Sequence, residues 1–438
     1  MTTTERVTFR MKTLVDLKAE AERIEVDVPL SDDLSMLKSA ITIGPVTLPN
    51  RLAVNPMEGF DADTEGTPQE RSIRRYDRFA AGGAPLIWFE ATAVVPEGRS
   101  NAHQFWLHEK NVDEYAKLLK RTRRIARETH GHDILALIQL THSGRYSKPD
   151  GKSGAVIVQH SSVLDPVTGI TPDMPAITDE QLDRLQDDYV RCAKLAAQAG
   201  FDGVDVKSCH GYLLNELLGS HTREGKYGGP FENRTRFLRE TFARVRNEVP
   251  EVMAVSRLNV YDAVKQPWGF CSRPDNYRQW DLAEAKQLVA ELVKLGLPLL
   301  NVTIGNPYFN PHYNRPYEMP IRGGVAYNEH PLLGVARFCA IAGEMQQAFP
   351  ELPMITGGCA WLRHLVPYVA AGMLERKMAT FFGQGRGAFA YPDSVNDILT
   401  TGEMNPKKVC TTCSGCTELM RRHQPTGCVI RDHEWYKL

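Results

Sequence analysis

Residues Phe201–Arg234 read FDGVDVKSCHGYLLNELLGSHTREGKYGGPFENR. The run Gly203–Lys207 has the length and residue types of a buried strand, and His210 and Tyr212 follow at its mouth. Working outward, the same rhythm recurs on both sides. Short apolar runs occur at Arg51–Asn55, Leu86–Glu90, Ile134–Leu140, Val252–Leu258, Leu299–Thr303, Met354–Thr356 and Thr380–Phe382, eight candidate strands in all. Helical patterns lie between them. Thr178 and Gln181 have the spacing of a capping box, with Ile177 and Leu182 at staple positions. Leu182, Leu185, Tyr189, Cys192 and Ala196 follow at helical period, and Gly200 ends the run. Asp281 and Glu284 repeat the box, and Val112–Ile125 forms a third apolar face closed by Gly131.

Strands alternating with helices imply a parallel sheet, either closed as a (β/α)8 barrel or open and doubly wound. About 350 residues for eight units suits a TIM barrel with enlarged loops. Those loops follow the third to sixth strands, at the C-terminal ends where barrel enzymes place their chemistry. The stretch Gly305–Pro331 lacks periodicity and reads as a lid, with Tyr308, His312, Tyr313 and Arg315 as candidate contacts. The expected organisation is an N-terminal extension with some helix at 1–40, a barrel at 41–400 and a cysteine-rich segment at 401–438.

Composition narrows the function classes. The chain has 438 residues, 42% of them hydrophobic, so it can bury a large core. With 52 Lys plus Arg against 53 Asp plus Glu, a broad nucleic-acid surface is not expected. No apolar run reaches the roughly 20 residues of a membrane span, and Met1–Lys12 has no apolar core of a secretory signal. We therefore expect a cytoplasmic protein acting on a small molecule, with no nucleic-acid or membrane partner and with oligomerisation left open.

His210 and Tyr212, two apart beyond a strand, can offer a hydrogen bond to a carbonyl and a proton to a carbon. The plainer alternative is a loop histidine and a tyrosine packed on the next helix. Four of the nine cysteines, Cys410, Cys413, Cys416 and Cys428, form a C-x2-C-x2-C-x11-C pattern. On spacing alone this suits an iron–sulfur cluster or a zinc ion.

The run HGYLLNELL…YGGPFENRTRF, with ITIGPVTLPNRLAVNPM, IQLTHSGR and GQGRGAFAYPD in order around it, resembles the Old Yellow Enzyme (NADH:flavin oxidoreductase) family over about residues 41–400. The resemblance implies a TIM barrel holding FMN over its strand ends. Asn55, Pro56 and Met57 would lie along the flavin, Ala91 would give a backbone contact, and Gln139 would meet the pyrimidine edge. Arg257 would lie near N1 and the C2 carbonyl, and Gly357, Gly358, Gly385 and Arg386 would hold the phosphate. Tyr212 would be the proton donor, with His210 at one oxygen-holding position and Lys207 where the family usually has histidine. A lysine is a point charge and cannot copy imidazole geometry. Glu58 stands where related amine dehydrogenases have a flavin-linked cysteine, so FMN is expected to be dissociable and Glu58 to cap or pair in its loop, with an acid acting on substrate beside the ring as the alternative. For Lys207 the plain alternative is a salt bridge to a lid carboxylate.

The four cysteines resemble the iron–sulfur branch of the family, which includes 2,4-dienoyl-CoA reductase, enoate reductase and trimethylamine dehydrogenase. Their short gaps are most similar to the last of these. The resemblance implies a [4Fe-4S] cluster passing electrons to FMN. No G-x-G-x-x-G unit for FAD or NAD(P)H follows, so a separate reductase, flavodoxin or ferredoxin is the expected donor. NAD(P)H acting directly on the flavin is the rival. The implied activity is reduction of an activated C=C bond, enoate or enone in type, with hydride from FMN N5 and a proton from Tyr212. An oxidative, amine-dehydrogenase-like reaction and a barrel carrying a structural zinc knot are the alternatives.

Overall fold

The computed structural model describes residues 7–324 and 327–438. Residues 1–6 of the expected extension and 325–326 of the expected lid lie outside the described residues. Eight parallel strands close into a barrel: β1 (Leu52–Val54), β2 (Leu86–Ala93), β3 (Leu135–Thr141), β4 (Gly203–Val206), β5 (Met253–Asn259), β6 (Leu300–Thr303), β7 (Met354–Thr356) and β8 (Phe381–Gln384). β8 pairs with β1 through Phe382 opposite Leu52, which completes the ring. All eight expected strands are present.

The helices between them are α1 (Glu70–Ala81), α2 (Val112–His130), α3 (Asp179–Ala199), α4 (Arg236–Glu248), α5 (Ala283–Lys294), α6 (Pro331–Ala348), α7 (Val366–Glu375) and α8 (Ser394–Thr401). Helix α3 begins on the expected box, Thr178 with Gln181, and ends on Gly200 at φ 91°. The box expected at Asp281 and Glu284 does not form. Leu282 caps α5, Asp281 accepts only from the Ala283 amide at 3.1 Å, and Glu284 turns to the buried Arg234 guanidinium at 2.6 Å. A buried cation needs a counter-charge more than a helix end needs a second cap.

The barrel interior is layered. At its N-terminal end Ala53, Leu86, Trp88, Leu135, Leu137, Val255, Leu299, Ile355 and Phe381 pack together. A hairpin, Ile41–Ile43 with Val46–Leu48, plugs this end with Ile43 and Leu48. Towards the C-terminal ends the inner side chains turn polar: Gln139 lies opposite Asp205, and Arg257 opposite Asn301. An apolar layer below a polar one makes that end the binding face.

Both flanking segments pack on the barrel. In the N-terminal segment, helix Leu14–Arg23 starts on a capping box of Thr13 with Asp16, and Phe9 meets Trp361 edge-on at 5.4 Å. Residues Pro29 and Leu30 cross α7 at Gly372, where any Cβ would come within 2.5 Å of their backbone. At the other end, Arg74 and Arg78 pair with Asp432, and the Thr426 amide donates to Gly59 O at 2.6 Å. A short helix, α9 (Gly415–Arg421), lies within the cysteine segment. No described helix is long and apolar enough to cross a membrane.

Candidate active site

The ends of the strands open into a cleft with a cavity volume of about 160 Å³. Its lining includes Asn55, Pro56, Met57, Gln139, Arg257, Gly357, Gly358, Gly385 and Arg386, nine of the ten expected cofactor positions. Ala91 is the exception: it is buried in β2 and its carbonyl accepts from Gln104 at 2.9 Å.

The floor is a polar network with spare donors. Gln139 donates through Nε2 to Asp205, which also accepts from the Arg257 amide at 2.7 Å and Trp88 Nε1 at 3.0 Å. Burial pushes the Asp205 carboxyl up to about 6, against these donors. Arg257 reaches Pro56 O at 3.4 Å through Nη1, but its Nε is buried with no partner. Arg386 Nη1 is buried and unpartnered too. Arg315 and Arg421 also line the cleft, and Arg315, Arg386 and Arg421 form no ion pair among the described residues. Burial first, then Arg386, depress the Arg315 guanidinium. Two half-buried guanidinium groups, Arg257 and Arg386, each with a buried unpartnered nitrogen, favour an anion here. The phosphate of FMN and the N1–C2 carbonyl edge of its ring, which carries negative charge in the reduced flavin, fit that requirement.

The three expected catalytic residues share one wall. The backbone turns left-handed at His210, φ 66°, and at Gly211, φ 74°. A non-glycine residue there is strained, and the Asn259 side chain holds it by accepting the His210 amide at 3.3 Å. Burial, then Arg257 and Lys207, hold the His210 imidazole well below its usual range, so it is a neutral hydrogen-bonding group. Its Nε2 lies 3.4 Å from Thr303 Oγ1. Lys207 Nζ sits 3.7 Å from the Tyr212 ring centroid.

The carboxylate beside Lys207 is Glu58, from the loop after β1, and not an acid of the lid. Lys207 Nζ is 3.5 Å from Glu58 Oε1, and the Tyr212 hydroxyl donates to Oε1 and Oε2 at 3.0 and 3.1 Å. Of the two roles open to Glu58, a cap or pair within its own loop and an acid facing the cleft, the structure has it paired across the cleft with Lys207 and Tyr212, at the centre of the wall. Its loop is pinned from behind, where the Gly59 amide donates to Glu90 at 2.6 Å and Arg75 binds both Glu90 and Asp61.

The lid and the cysteine segment close the cleft. Tyr308 shares a 2.9 Å hydrogen bond with Tyr212 and stacks on Tyr146 at 3.9 Å. The Arg421 guanidinium lies over the Tyr308 ring at 3.9 Å. Thr417 and Met420 line the cleft from the same helix α9. None of these three was foreseen as a wall residue. Of the four lid candidates, Tyr308 and Arg315 line the cleft, while Tyr313 packs on Tyr261 and the Arg337 guanidinium.

Cys410, Cys413, Cys416 and Cys428 line one small cavity, with Arg386 between it and the cleft. Backbone amides of Thr412 and Arg431 approach the Cys410 and Cys428 sulfurs at 3.4 and 3.3 Å. Among the described residues, no three His, Cys, Asp or Glu side chains are gathered closely enough to hold one metal ion.

Similarity to known proteins agrees with this geometry. The NADPH dehydrogenase of Halalkalibacterium halodurans is 35% identical over 212 residues, covering 48% of this chain and 59% of its own length. The chain thus spans less than two-thirds of that relative. Among solved structures, a 2-naphthoyl-CoA reductase in complex with 2-naphthoyl-CoA superposes with a TM-score of 0.72 at 20% identity, covering 91% of this chain and 57% of the other. An old yellow enzyme homologue from Zymomonas mobilis gives 0.62 at 21%, covering 85% and 94%. At these identities the two structures speak for the barrel alone. The model of the NADH:flavin oxidoreductase / NADH oxidase family matches residues 37–339, from the plugging hairpin past the sixth strand, and the chain belongs to that family of flavin oxidoreductases.

Proposed function

We propose that the barrel of residues 41–400 binds FMN in the cleft and reduces an activated C=C bond of a small-molecule substrate. The observation that carries this reading is the pair of buried guanidinium nitrogens, Arg257 Nε and Arg386 Nη1, left without partners on one cleft floor. When bound, FMN supplies the hydride. Arg257 would favour negative charge at the pyrimidine, and Arg386 with Gly357, Gly358 and Gly385 would hold the phosphate. His210, neutral, donates a hydrogen bond to the substrate oxygen. Tyr212 places its hydroxyl proton at the α-carbon. NAD(P)H is the donor we favour, since the relative above is named an NADPH dehydrogenase.

We further infer that residues 401–438 hold a [4Fe-4S] cluster on Cys410, Cys413, Cys416 and Cys428. Four thiols lining one cavity, two of them met by backbone amides, form a donor set suited to such a cluster. Arg386 lines both cavities, so the two redox groups would be neighbours, and an electron-donor protein would act through the cluster.

The test is anaerobic purification with flavin, iron, sulfide and zinc analysis, then turnover of NADPH with 2-cyclohexenone. One FMN and about four irons per chain with enone reduction support the reading. Zinc in place of iron overturns the cluster alone, and a protein that neither retains nor rebinds FMN overturns the whole reading.

A further inference from the structure

The wall of the cleft carries a group that C=C reduction by flavin and tyrosine does not itself require. Glu58, Lys207 and Tyr212 are all buried, at 8%, 4% and 2% exposure. The Tyr212 hydroxyl points at the Glu58 carboxylate, with both oxygens within 3.1 Å. Ser100 Oγ adds a weaker donor at 3.5 Å, and Lys207 Nζ balances the charge at 3.5 Å. The charged and titratable groups facing this carboxylate are therefore Lys207, Tyr212 and, through Tyr212, Tyr308.

A buried phenol that gives up its proton leaves a buried anion, here beside a carboxylate. Burial and Glu58 together hold the Tyr212 hydroxyl well above its ordinary range. Tyr212 can then act only if a second proton moves as the first does. Two groups touch its oxygen. Tyr308 is another phenol, itself raised by burial to about 12. Glu58 already accepts this hydroxyl's hydrogen bond, with both carboxylate oxygens in reach of the phenol oxygen.

We propose that Glu58 is a positioning residue that exchanges protons with Tyr212, and that the pair can take as well as give the α-proton of a carbonyl ligand. This rests on the reading of Tyr212 as the proton-transfer residue. In the giving direction, the Tyr212 O–H breaks as the α-carbon C–H forms. Glu58, protonated beforehand by solvent hydronium, loses that proton as the Tyr212 O–H re-forms and so returns to the carboxylate. In the taking direction the α C–H breaks, Tyr212 receives that proton and passes its own to Glu58, and the carbonyl becomes an enol or enolate held by His210. No electrons leave the ligand, so returning a solvent proton gives exchange without net oxidation.

The experiment uses the flavin-loaded, oxidised protein with cyclohexanone in D2O, following deuterium at the α-carbon by NMR. Flavin content and thermal midpoint are measured on the same samples. Exchange faster than in buffer, slowed about tenfold or more by Glu58→Gln and partly restored in Glu58→Asp, is the expected result. Binding of cyclohexanone, read from the flavin absorption band, should change little in Glu58→Gln. Unchanged exchange in Glu58→Gln, or none above buffer in the parent protein, overturns the proposal. If NADPH-driven reduction of 2-cyclohexenone persists in that case, the proposed function stands and only the role of Glu58 falls.

Discussion

The floor and the wall of the cleft treat charge in opposite ways. On the floor, Arg257 and Arg386 keep buried N–H groups unpaired. On the wall, Lys207, Glu58, Tyr212 and Tyr308 satisfy one another. An unsatisfied buried donor costs stability unless a ligand completes it, so the floor is built to receive a partner. A closed hydrogen-bond set loses nothing without a ligand, so the wall is built to hold a proton in place.

Separating the two rates is the strongest way to break this comparison. Tyr212→Phe should slow oxidation of the reduced flavin by an enone about 10²- to 10⁴-fold, while flavin reduction by NADPH stays near the parent rate. Stopped-flow measurement of both half-reactions decides it, and equal slowing would erase the distinction. A second test concerns buried His142, whose backbone carbonyl accepts from the amide of Leu213, next to Tyr212, at 3.1 Å. Burial lowers His142 from 6.5 to about 4, so the folded chain resists a proton that the unfolded chain accepts. Stability from this residue is complete above pH 6.5 and falls as pH drops from 6.5 towards 4, by up to about 3 kcal/mol. Urea unfolding of the parent against His142→Gln should show a shallower fall over this window in the variant, with the remainder coming from His210.

Smaller effects sharpen the comparison further. Arg386→Ala should weaken FMN binding about tenfold to a hundredfold, since one charge-assisted contact is worth about 1.5–3 kcal/mol. Fluorescence titration of the apoprotein reads it, and the Tyr212 half-reaction should survive once flavin is saturating. Arg421→Ala removes a cation over the Tyr308 ring, worth about 0.5–1 kcal/mol at a partly exposed site. It should lower kcat/KM for the enone about fivefold or less and leave flavin content intact.

How much of this was legible in the sequence follows the same division. The strands show as short apolar runs, and the family resemblance, carried over onto their ends, singled out Asn55, Gln139, Arg257 and Arg386, all of which line the cleft. The wall is assembled across the chain. Glu58 and Tyr212 are 154 residues apart, and Arg421 and Pro307 are 114 apart. No local period links such positions, so Glu58 read as a loop acid and Arg421 as part of a cysteine knot. The hairpin Ile41–Ile43/Val46–Leu48 was absorbed into the approach to the first strand, because only the closed barrel shows that its end needs a plug.

The docking of α9 on the cleft has a consequence for how the protein is made. Thr417, Met420 and Arg421 leave the ribosome after all eight strands, and the Thr426 amide then ties down Gly59, next to Glu58. A nascent chain with a finished barrel thus has a floor before it has a complete wall. Protease nicking between 402 and 415 should reverse that order, releasing a barrel that still takes up flavin but has lost the side of the cleft that grips substrate.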